Sequence, residues 1–273
     1  MTLTKSFRTE TIEPRATNKV ARIPLTLKLA FTAFMAVLVP VYWSKYGPTN
    51  FLYFCDLALF LTLAAVWLES RLFASMAAVG IILPQIVLWC GDFVAHLIGI
   101  KFIGMTDYMF DANRSLFLRS LSFFHGWLPF MLWYLVIRLG YDRRALLAWT
   151  GVAWTAMLIS YFLMPAPGAT LANPLAPVNI DYVYGFSDTA AQTWMPGWAW
   201  LLFLMTALPS AVYLPTHWLL KKICEKIDRS TEGDRLTWIK ANRKGRIRMK
   251  KRISPTPDSP LFESGKSCSS CLR

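Results

Sequence analysis

Charged side chains are scarce in this chain, and histidine is scarcer still. Asp, Glu, Lys and Arg make up 16% of its 273 residues, against roughly 25% in a soluble globular protein. Apolar residues reach 55%, above the usual ~45–50%. These proportions exclude an ordinary water-soluble domain. The three histidines, His96, His125 and His217, are too few for a His-rich metal site. The five cysteines do not make a disulfide framework. Cys55 and Cys90 fall in apolar runs, and Cys224 follows the last run. Cys268 and Cys271 form a lone CxxC with no second pair, which excludes a zinc ribbon. That terminal pair reads as a reduced dithiol or a lipidation site, although it does not match the prenylation pattern. Acidic residues are outnumbered, and the net charge is +13. Membrane proteins collect Lys and Arg on their cytoplasmic side, so this excess does not call for nucleic acid as a partner.

What is present is a series of apolar runs long enough to cross a ~30 Å hydrocarbon layer as helices. The fold class is all-α: a polytopic transmembrane helix bundle of six spans, with both termini cytoplasmic. The spans are expected at about 24–43, 50–68, 72–90, 118–139, 145–164 and 198–220. A polar N-terminal segment, 1–23, precedes them, and a basic, largely disordered tail, 221–273, follows. No small-x-small cleavage site follows the first run, so it reads as a retained span and not a removed signal. The apolar character of the third run continues to Ile100, which at ~1.5 Å per residue is too long for an untilted helix. Pro84 and Gly91 offer places to kink or break it. Either a short interfacial helix follows Trp89, or one kinked helix runs past the membrane surface. Between the fifth and sixth spans lies a long connection rich in proline and without Lys or Arg. It contains NIDYVYG and is expected to pack down on the membrane face.

Charge sets the orientation. Lys45, Lys101, Arg114 and Arg119 are the basic residues of one side. Those of the N-terminal segment, the 69–71 and 138–144 turns and the tail all fall on the other, cytoplasmic side. The expected location is a cell membrane, as a multi-pass protein of the bacterial inner membrane. Its partners are membrane lipids, with anionic head groups at the basic tail. No cofactor is expected.

With direction fixed, the unusual residues can be compared in depth. Cys55, Asp56, Asp92, His96, Arg119 and His125 all fall in the outer half, and Asn179 and Tyr182 lie in the loop that caps it. An acid within a span is costly and normally faces protein groups or a water-filled cavity. The shared level of these side chains points to a polar cavity in the outer half. Two chemistries fit. In the first, Cys55 is a nucleophile, His125 its base, and Asp56, Asp92 or Arg119 an orienter or anion stabiliser. In the second, which ranks below it, Asp92 and His96 at i,i+4 join His125 and Asp56 in a mixed metal site. Arg119 paired with Asp56 or Asp92 would be the purely structural alternative. A small-solute carrier and a non-catalytic scaffold with a lipid-binding tail are the other function classes.

NFLYFCDLALF in the second run, LSFFHGWLPFMLWY in the fourth, and Asn179 with Tyr182 before the last resemble a broad six-span membrane family. It includes uncharacterised bacterial integral membrane proteins, a eukaryotic ether-lipid acyltransferase and, more distantly, the androgen-induced lipid hydrolases. The resemblance covers roughly residues 24–220. It implies a Cys or Thr nucleophile and a His within the membrane, acting on lipid acyl chains. By position, Cys55 corresponds to the nucleophile and His125 to the His. The carboxylate directly after Cys55 and the Pro-rich last outer loop depart from the family pattern.

Overall fold

A computed structural model describes residues 23–100, 102–112, 114–230 and 238. The N-terminal segment, most of the basic tail and the Cys268/Cys271 pair lie outside the described residues. The chain divides into two units, Met1–Cys224 and Glu225–Arg273. Among the described residues the structure is helical, with no strand. Five helices are long and apolar enough to cross a membrane: α1 (Leu25–Tyr46), α3 (Arg71–Leu97), α4 (Leu116–Leu139), α5 (Ala145–Leu163) and α6 (Gly197–Ser230).

The second expected span is shorter than the sequence suggested. α2 covers only Phe54–Leu68, 15 residues, or ~22 Å at 1.5 Å per residue. Gly47 ends α1 with a positive φ of 86°, and Pro48 opens a separate 3-10 turn, Pro48–Leu52. Tyr53 is extended, so α2 cannot start before Phe54. The third expected span is longer than 72–90. Its helix runs unbroken to Leu97 because the chain answers Pro84 with a π-turn, Gln85–Trp89, instead of a stop. A proline removes one backbone donor and crowds the carbonyl four residues back, and widening the turn relieves both. Of the two alternatives for this run, the structure thus has one continuous helix. α6 carries a second π-turn, Leu208–Tyr213, around Pro209.

α3 is the central helix: 61% of its most apolar window is buried, against 22–28% for α1, α5 and α6. Small residues on it, Ala74, Ser75, Ala77, Ala78 and Gly80, let α2, α4 and α5 approach closely. At Gly80 the indole of Trp149 lies directly against the backbone.

Side-chain bonds sort the helix ends onto two faces. At one, Lys28 Nζ meets Glu69 Oε1 at 2.8 Å, Trp67 Nε1 donates to Thr32 Oγ1, and the Asp142 amide donates to Ser75 Oγ. Tyr141 and His217 share a 2.6 Å hydrogen bond there. This is the basic end. At the other, loop end, Asn173 Nδ2 donates to Lys45 O, Arg114 reaches Tyr46, and Trp200 Nε1 donates to Tyr182 O. Consecutive helices therefore alternate in direction, and the long 164–196 connection sits over the loop end.

Candidate functional site

The site is built around the start of α2. Asp56 lies in its first turn and is 2% exposed. Its Oδ2 accepts from Asn50 Nδ2 at 2.8 Å, an arrangement the 3-10 turn makes possible by folding Asn50 back over the helix start. Its Oδ1 is buried with no hydrogen-bond partner. The second acid comes from far along the chain. Asp181, 9% exposed, accepts from the Phe54 amide at 3.2 Å through Oδ1 and so caps α2. Asp181 Oδ2 is likewise buried and unpartnered. The two carboxyl groups are within electrostatic reach of one another, and Cys55 lies within reach of both. Burial pushes the Asp181 carboxyl well above the usual carboxylate range, with the Phe54 N–H opposing that shift.

The segment that delivers Asp181 is held in an unusual backbone. Asn179, Asp181 and Tyr182 all have positive φ, 49°, 55° and 59°. This is costly for non-glycine residues and persists only where the surroundings over-determine it. Asn179 supplies the constraint. Its Nδ2 donates to Gly185 O at 2.8 Å and Ser187 O at 3.0 Å, while its Oδ1 accepts from the Tyr184 amide. Ile180 and Val183 are fully buried beside Asp181. The connection therefore does more than cover the bundle: it inserts a plug into it. Burial also pushes the Tyr182 phenol and the Asp188 carboxyl upward.

A second polar group surrounds His125. Its Nδ1 lies 2.8 Å from Ser122 O. A carbonyl can only accept, so Nδ1 carries the proton and Nε2 keeps a lone pair. Ser122 O is available because α4 has a break at Phe123 and the Gly126 amide bonds to Phe123 O instead. The imidazole stacks on Trp89, centroids 5.3 Å apart, and on Phe124 at 4.0 Å. Trp89 Nε1 donates to Tyr108 OH, and Tyr42 OH shares a 2.8 Å hydrogen bond with Ser122 Oγ. Tyr108 lies within electrostatic reach of Cys55, and Tyr42 of Asp56. The two groups thus border one region, but no hydrogen bond joins Cys55 to His125.

The remaining candidates are occupied elsewhere. Asp92 accepts four hydrogen bonds from one turn: the amides of Ile103, Gly104 and Thr106, and Thr106 Oγ1. It is the anchor of the loop after α3. His96 sits 3.2 Å from Asp107 Oδ1 and stacks on Phe110 at 3.8 Å. Arg119 donates to Met109 O at 3.2 Å, and no ion pair joins it to Asp56 or Asp92. Among the described residues no group of three or more His, Cys, Asp or Glu side chains is placed to hold a metal ion. The mixed set of Asp56, Asp92, His96 and His125 is therefore not assembled. The residue that sequence reasoning missed is Asp181. The available signal was an acid in a loop without Lys or Arg, but nothing local links it to Phe54. No protein-family model, curated protein or solved structure matches this chain.

Proposed function

We propose that this protein acts on the acyl linkage of a membrane lipid, by transfer or hydrolysis, in the polar region at the loop end of the bundle. The observation that carries this reading is one-sidedness. Cys55, Asp56, His125 and Asp181 gather near the loop end. Toward the basic end the core is closed by Leu59, Val66, Ala77, Leu128, Leu132 and Leu135, all fully buried. The buried Ser and Thr hydroxyls of that half are already bonded, Thr62 to Ala58 O, Ser75 to the Asp142 amide and Thr216 to Val212 O. A carrier needs a polar route to both faces, whereas a lipid-active site needs access from one leaflet only.

In this reading Cys55 Sγ attacks the acyl carbonyl and its proton passes to His125 Nε2. A thioester forms as the bond to the lipid alcohol breaks, and that alcohol leaves with the proton. Water or a second alcohol then releases the acyl group. The thiol and the imidazole are not hydrogen-bonded here, and catalytic bonds often tighten only when substrate binds. Lipid profiles of cells expressing wild type, Cys55→Ala and His125→Ala test the reading. Each variant is expected to lose the acyl-lipid change by roughly 10²-fold or more. Identical profiles in all three sink it.

A further inference from the structure

We propose that Asp56 and Asp181 form a binding site for one monovalent cationic group, an alkali ion or an alkylammonium. Two carboxyl groups from distant parts of the chain are brought together at 2% and 9% exposure. Each is held by a single neutral donor, Asn50 Nδ2 or the Phe54 amide. Each keeps one buried oxygen without a partner. Among the described residues no Lys, Arg or His forms an ion pair with either one. Arg119, the basic residue of α4 nearest the loop end, is turned to Met109 O.

The Tyr213 hydroxyl, from the π-turn of α6, is 1% exposed; it lies beside the Trp149 indole and within electrostatic reach of Asp181. A buried polar atom without a partner costs about 1–3 kcal/mol. Two such oxygens, Asp56 Oδ1 and Asp181 Oδ2, mark a place completed by a group that accepts both. Once both carboxyl groups are ionised, the α2 N-terminus offsets only part of their negative charge, equivalent to roughly half a positive charge. Among the described residues no third His, Cys, Asp or Glu joins the two carboxyl groups in a metal-holding set, so they suit a weakly bound monovalent cation and not a transition metal.

This site does not depend on the acyl chemistry proposed above, and the two can fail separately. The thermal unfolding midpoint of the purified full chain is measured against NaCl and, separately, tetramethylammonium chloride. Ionic strength is held constant with Tris chloride. Wild type is expected to gain several degrees, saturably, with one of the two salts. A response to tetramethylammonium alone identifies an ammonium group, and a response to sodium alone an inorganic ion. Asp56→Asn and Asp181→Asn are expected to lose the response, and Cys55→Ala to keep it. No saturable gain in wild type, or the same gain in both Asn variants, overturns the site in favour of a proton-sharing pair. Should a variant fail to fold, tryptophan fluorescence of wild type decides. One saturable transition with the cation supports the site, and its absence overturns it.

Discussion

At Gly80 the packing of the whole bundle narrows to one hydrogen atom. A Cβ there would lie 1.9 Å from Trp149 Cε2 and 2.3 Å from its Nε1. The indole cannot simply move aside. It is fully buried and meets Phe54 at 6.1 Å and Tyr213 at 6.3 Å, both edge-on. Phe54 is the residue whose amide Asp181 caps, so displacement of Trp149 would be felt at the carboxyl pair. Gly80→Ala is expected to destabilise by about 1–3 kcal/mol or more, the usual cost of overpacking. Gly91, on the same helix with open space around it, is the control. There Ala is expected to be neutral or to gain up to ~1 kcal/mol from helix propensity. Chemical or thermal unfolding in detergent separates the two, and equal midpoints would show that Trp149 is free to repack. The sequence offered Pro84 and Gly91 as the places where this helix could yield. Pro84 does so, by a π-turn. Gly91 does nothing visible, and the glycine that matters, Gly80, carries its reason on a different helix.

At the scale of elements, the plug from Asn179 to Gly185 determines what the site contains. Three positive φ angles in four residues oppose this backbone, and the Asn179 amide offsets them with three hydrogen bonds. Asn179→Ala removes all three, at roughly 0.5–1.5 kcal/mol each, and also replaces a residue that tolerates the left-handed region. A loss of about 2–4 kcal/mol is expected on this basis. The plug should open before the bundle does, exposing 179–185 to limited proteolysis at temperatures where the helices persist. Asn179→Asp keeps the acceptor for the Tyr184 amide but not the donors, so it should fall between the two. Proteolysis indistinguishable from wild type would mean that the buried Ile180 and Val183 hold the plug by themselves. The sequence marked Asn179 and Tyr182 but passed over Asp181 between them. Periodicity and charge counting read helices and their direction well. They cannot read a loop whose conformation is set by contacts 127 residues apart, as between Phe54 and Asp181. The same limit explains Asp92 and Arg119. Their depth was legible, but their partners, the 103–106 turn and Met109 O, were not.

For the whole molecule, the decisive asymmetry is charge against site. Arg71, Arg138, Arg143 and Arg144 lie at the basic end, whereas the carboxyl pair, Cys55 and His125 lie near the other. Lys and Arg are retained on the cytoplasmic side during insertion, so the site should face the opposite leaflet. Thr170, exposed in the long connection, and Arg144, exposed in the turn before α5, report the two faces directly. In a background without the native cysteines, Thr170→Cys should react with a membrane-impermeant maleimide in intact cells. Arg144→Cys should react only after permeabilisation. The reverse pattern would turn the bundle over and place the site toward the cytoplasm. Any lipid or cation it takes would then come from the inner leaflet or the cytosol. Reaction of both in intact cells would mean that the two ends do not lie on opposite sides. That outcome would remove the bilayer from between Lys28–Glu69 at one end and Phe54–Asp181 at the other, and with it the reason that acids buried there need a partner.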